Sequence, residues 1–569
     1  MEEIRWFLGT FAGWLLRKQL SILFTLCVFL TRTTYALIKL LSRGKFSPRG
    51  TLIWSSRTTP EKASQDEATR EAGCKQVALN YSGALGYIAR LAMSKEELEH
   101  KIYTEKVTPE ALAGELHKRI AEIPGITLGF RPNGEGKLEV KLPFSMCDQH
   151  VYIIGRSGSG KTNLIRSMIL QTAYYGHGVG VLAPEAELLT DEILPYIPEN
   201  RIDDVIYIDP ADTSAPIAFN PLYLEEGEDR DEGIDLKVDD VLTTFKRLLG
   251  ETSVRMDEIL RQSLYALMQR RGSTLLDLEP LLDRNNSTLR DEIIRTSDEV
   301  TARFFRDTYP GYPKDAHIPI TTRVSRLIRP KAVRALLCQP DRSFNFRKAM
   351  DEGKIVLFNL SDGVLGEQTS QLLGELIVSK MQLAAMSRAD TPQAARRPFH
   401  LYLDEFQTFM GAASSYAKIL SRARKYKLCL CIAHQQTGQL PQNLLKDIFG
   451  NVSTFITFNV SSEDARKLAQ EYSYEQGGQT DYVEPGEFLR LRTGEAIAKI
   501  GRTVLPLETV LLPQNPDHRR ARHIINRSRR NYSGNDSWNV DTRPSDNKQL
   551  PPKRDARDDD DDLDPTQVF

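Results

Sequence analysis

At 569 residues, with 40% hydrophobic and 27% charged side chains, the chain exceeds one ordinary domain and can support a large core; two or three domains are expected. A formal net charge of −1 conceals basic clusters near both ends and an acidic run at the close, so overall charge neither identifies nor excludes nucleic acid. The cysteines (Cys27, Cys74, Cys147, Cys338, Cys429 and Cys431) make no C-x-x-C pair and have no histidine at zinc spacing, which leaves reduced thiols in a cytoplasmic body.

Residues 1–43 are the most apolar, with Trp6 to Leu16 and Leu20 to Thr31 separated by Arg17-Lys18 and followed by Arg32 and Lys39. Neither run reaches the roughly 20 apolar residues of a clean transmembrane helix. The segment reads as a membrane-associated helix, either a short span tolerating Arg32 or a basic amphipathic anchor, with a buried helical hairpin as the competing reading. No small-residue cleavage site follows, which argues against a signal peptide. Residues 44–93 read as linker and irregular chain, rich at first in Ser, Thr, Arg and Pro. Residues 94–145 read as a small α/β lead-in domain, helical from Ser94 to Ile123 and then extended at Ile126–Phe130 and Leu138–Leu142.

The first part of a P-loop NTPase core spans 146–224. There Gly155-Arg156-Ser157-Gly158-Ser159-Gly160-Lys161-Thr162 completes G-x-x-x-x-G-K-[ST]. Its glycines and serines let backbone N–H groups and the next helix start surround a polyphosphate, with Lys161 reaching the outer phosphates and Thr162 ligating Mg²⁺. A chance glycine-rich turn is the competing reading. The strand-like His150–Ile154 before it and the helical spacing of Asn163–Leu170 after it supply the context that the motif requires. Short apolar runs at Gly178–Leu182 and Asp204–Ile208 suit buried parallel strands joined by right-handed crossovers. Residues 225–350 turn helical, with Ile259, Leu260, Leu264, Leu267 and Met268 on one face, and read as an all-helical insertion. Strands return over 351–513, at Lys354–Leu360, His400–Leu403, Leu428–Ile432 and Thr454–Phe458. An α/β fold with a parallel-dominated sheet therefore brackets the insertion. Residues 514–569, basic through Arg519, Arg520, Arg522, Arg527, Arg529 and Arg530 and acidic at Asp558–Asp562, read as a disordered tail.

Three further stretches carry chemistry. Leu401-Tyr402-Leu403-Asp404-Glu405 is an apolar strand ending in two carboxylates: Asp404 would hold Mg²⁺ and Glu405 would orient or deprotonate the attacking water. A solvated strand end is the bland alternative. His434-Gln435-Gln436 follows another strand, at the edge where α/β proteins place ligands, and either amide could sense the terminal phosphate, with Gln435 preferred over a plain turn. The basic run Ser421–Lys427 holds arginines that could act across a subunit boundary, or could simply complement a helix C-terminus.

From about Gly125 to Gly501 the chain resembles the FtsK/HerA superfamily of ring-forming DNA-pumping ATPases, and within it the TraG/TraD-like coupling proteins of conjugation and type IV secretion. The P-loop carries the resemblance together with Arg201–Val205, Asp209–Asp212, Pro216–Leu222, Phe399–Phe406, Ala423–Tyr426, Ala433–Gln435 and Gly450–Val452. It implies a RecA-like core, homo-hexamers around a DNA channel, ATP and Mg²⁺, Gln435 as sensor and Arg424 as a finger acting in trans. It also implies an anchor in the inner (cytoplasmic) membrane, a catalytic body in the cytoplasm, and relaxosome or secretion-channel partners. One departure stands out: relatives usually carry Asp-Pro-His-Gly-Asp where this chain reads Ala183-Pro184-Glu185-Ala186-Glu187. The expected function is ATP-driven DNA translocation. The alternatives are an ATPase energising protein secretion or assembly, and a hydrolysis-impaired nucleotide-binding scaffold.

Overall fold

The computed structural model describes residues 67–75, 92–133, 136–212, 216–224, 231–249, 253–340, 343–476, 479–513 and 515–532. Contacts divide the chain into Met1–Thr69 and Arg70–Phe569, and the second unit carries the architecture. The expected membrane segment, 1–43, and the acidic end of the tail lie outside the described residues. Among those described, no helix is long and apolar enough to cross a membrane.

The strands are β1 (Gly125–Asn133), β2 (Gly136–Pro143), β3 (Val151–Ile154), β4 (Gly178–Ala183), β5 (Val205–Ile208), β6 (Ile355–Asn359), β7 (Phe399–Leu403), β8 (Leu428–His434), β9 (Thr454–Thr457), β10 (Ser473–Gln476), β11 (Gln479–Tyr482), β12 (Glu495–Ile500) and β13 (Thr503–Thr509). All but the β10–β11 hairpin join one sheet, ordered β2-β1-β13-β12-β9-β3-β8-β7-β4-β6-β5. From β9 to β5 every pairing is parallel, and every residue of these strands is buried, because helices cover both faces. The four strands beyond β9 pair antiparallel, and β13 alternates buried with partly or fully exposed residues, as a sheet wetted on one side does. The expected α/β class and parallel-dominated sheet are borne out.

The two-residue period of each strand sorts its side chains into two cores. Tyr152, Ile154, Leu182, Ile206 and Phe358 face one way, and the apolar faces of the helices between β5 and β6 pack into that same cluster. Val151, Ile153, Val181, Val205 and Leu357 face the other, against the helix Lys161–Tyr174. Between β5 and β6 the described elements are all helical, from Asp231–Leu249 to Phe346–Asp351. Because β5 and β6 are neighbours, in register Val205↔Ile355, this long excursion leaves and re-enters the sheet at one place without breaking it. Asn220 fastens it there: its amide donates to Ser273 O (2.7 Å) and accepts from Leu222 N (3.0 Å), while Phe219 N donates to Leu336 O (2.8 Å). Buried Arg201 does the same for the strand ends, donating to Asp204 (2.7 Å), Ala173 O (2.6 Å) and Gly353 O (2.7 Å).

The expectation of a disordered tail is corrected for residues 518–532. His518–Tyr532 is a helix, capped by Asp517, whose carboxylate accepts from Arg519 N (3.0 Å) and Arg520 N (3.1 Å). Ala521, Ile524, Ser528 and Tyr532 form its buried stripe. Arg520, Arg527 and Arg529 pair with Glu199, Asp203 and Asp212 at 2.7 Å each. The helix also covers the open edge of the sheet: Tyr207 N of the edge strand β5 donates to Ser528 Oγ at 2.8 Å. Six arginines among these few positions swamp an apolar period that is nevertheless helical. Ile524→Ala is expected to cost about 2–4 kcal/mol in denaturant unfolding. At exposed His523, alanine is expected to change stability by less than about 0.5 kcal/mol, and equal effects would contradict the docking.

Candidate functional site

Three adjacent parallel strands, β3, β8 and β7, end side by side, with Ile154 in register with His434 and Leu403 with Ile432. The residues that leave their carboxyl ends are Gly155, Gln435 and Asp404. Motifs far apart in sequence are therefore placed together by backbone pairing alone.

After β3 the chain turns through the glycine-rich loop into the helix Lys161–Tyr174. A Cβ on Gly155 would lie 2.6 Å from Phe458 Cβ and 2.7 Å from Ser159 Oγ, so no side chain fits. Gly160, at φ +111°, takes a conformation that L-residues rarely adopt. The loop is braced from outside by Gly494 N, which donates to Ser159 O (2.9 Å), and by Asn459 O, which accepts from Arg156 N (2.8 Å). Ser159 Oγ is buried without a protein partner. Lys161 is buried, and its ammonium donates to Gly155 O (2.7 Å) and Arg156 O (3.2 Å). Burial pulls its pKa below the usual lysine value, against the opposing pull of Glu405 and Asp404.

Thr162 Oγ1 donates to Asp404 Oδ2 at 3.4 Å, so the two expected Mg²⁺ ligands face each other. Asp404 is buried, and its pKa is pushed up to about 6, first by desolvation and then by the charge of Glu405, with Lys161 opposing and Glu185 adding to the rise. Glu185 belongs to the altered stretch after β4, which therefore still brings a carboxylate to bear on Asp404. Glu405 sits at φ +46°, a strained backbone for a non-glycine residue. Its carboxylate accepts from Gln435 Nε2 (2.9 Å) and from Gln407 Nε2 (2.6 Å). Of the two candidate amides, Gln435 is the one brought to the carboxylates; Gln436 N instead donates to Gln439 Oε1 (3.1 Å) in a turn.

Arg424 lies elsewhere. It sits in the turn Ala423–Tyr426 before β8, at the amino end of a seven-residue strand whose carboxyl end carries Gln435, roughly 20 Å away along the strand. Its side chain is 60% exposed and pairs at 3.7 Å with Asp148, which Lys427 also approaches at 3.4 Å. Buried Arg388 stiffens the turn by donating to Tyr426 O (3.0 Å). Within one chain Arg424 is not brought to the phosphate loop.

Sequence reasoning missed Gln407, whose one signal is an amide two residues after the acidic pair, and also Thr493-Gly494. Thr493 Oγ1 donates to Gly158 O (3.3 Å), a contact across the sheet that no motif marks. It also missed Asn163. Next to Thr162, this residue clamps the segment leading to the C-terminal helix through Val510 O (2.6 Å) and Leu512 N (3.2 Å).

Because folding raises the pKa of Asp404, the folded chain binds more protons than the unfolded chain between about pH 4 and pH 6. Without divalent cation, its contribution to stability should fall as pH rises through that window, by on the order of 3 kcal/mol. Asp404→Asn should remove this slope in denaturant melts and be at least as stable as the parent at pH 7; an unchanged slope would contradict the assigned burial.

Residues 398–484 match the family model described as the TraM recognition site of TraD and TraG. No curated protein matches the chain in a sequence comparison. Among solved structures, the chain is similar to the bacterial conjugative coupling protein TrwB in its unbound monoclinic form, at 14% identity over 66% of this chain and 88% of that one, with a TM-score of 0.46. It is similar to TrwB in complex with ADP and Mg²⁺ at 14% identity over 66% and 89%, with a TM-score of 0.45. With VirB4 of Thermoanaerobacter pseudethanolicus the values are 17% identity, 68% and 97%, and 0.47. The segment matched by the family model holds Asp404, Glu405, Gln407, Arg424 and Gln435, and over residues 398–484 the chain is similar to TraD and TraG.

Proposed function

We propose that the protein is a membrane-tethered, ATP- and Mg²⁺-dependent motor that moves DNA in a conjugation-like transfer system. The observation that carries this reading is the convergence of Lys161, Thr162, Asp404, Glu405 and Gln435 at the ends of three neighbouring strands. The donor set fits a nucleotide with its cation. Asp404 is a buried carboxylate short of countercharge beside a hydroxyl, and Ser159 Oγ is a buried hydroxyl lacking a partner in a loop too tight for side chains.

In this reading Gly155, Arg156, Ser157, Gly158, Ser159 and Gly160 present backbone N–H groups to the phosphates, and Lys161 exchanges its carbonyl partners for phosphate oxygens. Thr162 and Asp404 would hold Mg²⁺, which would supply countercharge to the phosphates. Glu405 accepts the proton of the attacking water. Gln435 and Gln407 fix its carboxylate in place, and Gln435 can also report on the terminal phosphate, being tied to Glu405 on one side and to the strand next to the loop on the other. Arg424, solvent-facing at the far edge of the sheet, acts on a neighbouring subunit of a homo-hexamer rather than on its own site.

Lys161→Ala and Glu405→Gln are both expected to reduce ATP turnover at least about 100-fold, but by different routes. The first should weaken nucleotide binding, while the second should retain it. Turnover measured with and without single- and double-stranded DNA tests the motor reading: absence of stimulation by either would favour protein secretion as the work done, and absence of turnover in the parent would leave a scaffold.

Arg424→Ala is expected to bind ATP but not hydrolyse it. Mixed with Glu405→Gln, it should recover part of the activity, because some interfaces then combine an intact finger with an intact base. No recovery, with subunit exchange demonstrated by mass, would leave Arg424 as the partner of Asp148 alone and make Arg422 or Arg502 the next candidate.

A further inference from the structure

The C-terminal helix His518–Tyr532 holds the body with one face and its flanks, through the buried stripe Ala521, Ile524, Ser528 and Tyr532 and the pairs of Arg520, Arg527 and Arg529. Its outward face carries Arg519, Arg522, His523 and Arg530, all exposed and spaced to lie along one side of the helix. None of these three arginines is paired with a carboxylate among the described residues. Arg522 and Arg530 only reach back to carbonyls of their own helix, at 3.3 and 3.4 Å. An arginine stripe held rigid and unneutralised is self-repelling and attracts an anion.

The same chain supplies one. Beyond residues 533–557 it carries five consecutive aspartates, Asp558–Asp562. Lys553, Arg554 and Arg557 neutralise part of this stretch, but Asp555, Asp558–Asp562 and Asp564 outnumber them. Extended, five residues span about 17 Å, and Arg519 to Arg530 along a helix is about 16 Å. A random-coil connection of the length of 533–557 would have a root-mean-square span of about 25–30 Å, enough to fold back along the helix from which it leaves. It would hold the run at an effective concentration on the order of millimolar.

We propose that Asp558–Asp562 docks within its own chain on the face formed by Arg519, Arg522 and Arg530, an electrostatic latch that any polyanion using this face must displace. Arginine and carboxylate pair in two-pronged geometry, and several pairs engaged at once overcome the weakness of each exposed pair.

The test compares the full chain with a variant carrying D558N, D559N, D560N, D561N and D562N, changes that alter no residue of the helix or of the surface on which it packs. Both are treated with phenylglyoxal, and modification of each arginine is followed by peptide mass spectrometry. In the parent, Arg519, Arg522 and Arg530 should react about two- to fivefold more slowly than in the variant at low salt. The difference should vanish near 0.5 M NaCl, where the screening length is only about 4 Å, and should survive tenfold dilution. Arg520 and Arg527, held by Glu199 and Asp203, should react alike in both proteins. Equal rates at the stripe overturn the latch. So do a difference that disappears on dilution, which assigns the face to a second copy, and protection seen only when duplex DNA is added, which assigns it to nucleic acid.

Discussion

Parallel backbone pairing among β3, β8 and β7 is the constraint on which the site depends. The register that sets Ile154 beside His434 and Leu403 beside Ile432 also sets which residue emerges first from each strand. A slip of one residue would turn Tyr152 and Ile154 toward the helix Lys161–Tyr174 and would exchange the two cores. Such a slip is prevented because every position of these strands is buried on one face or the other. The chemistry is thus held by the least adjustable part of the molecule, with its donors and acceptors on the short turns that follow.

The site is electrostatically crowded. Burial first, and then the charges of Glu405 and Glu185 with Lys161 opposing, raise the pKa of Asp404. Two glutamines hold Glu405 through neutral amide donors, which orient a carboxylate without quenching its charge as a lysine or arginine would. Arg201 and Arg388 each bond several backbone carbonyls and one carboxylate, and so lock sheet ends and turns that are distant in sequence.

Legibility followed the range of the physics. The phosphate loop, the Asp404-Glu405 pair and Gln435 were readable because each is a local pattern at a strand end, where composition and spacing announce themselves. The alternation of apolar runs likewise announced a parallel sheet with a helical excursion. Thr493 and Asn163 were not readable, since what matters about them is a partner hundreds of residues away, and Gln407, although only two residues from Glu405, was missed because a single amide there marks no motif. The C-terminal helix was misread for another reason. Its core contacts number few among many arginines, so average composition spoke for disorder while Ala521, Ile524, Ser528 and Tyr532 kept helical spacing.

The hydrogen bond from Tyr207 N to Ser528 Oγ has a consequence for synthesis. The strand edge that it covers is made in the first half of the chain, whereas its cover leaves the ribosome near the end. Once β6 has emerged and paired with β5, the bare edge waits for residue 528. At 5–20 residues per second this takes roughly 10–35 seconds. For that interval each nascent chain offers a ready template to its neighbours on the same message, so slow translation or crowded polysomes would favour aggregation that the finished fold resists.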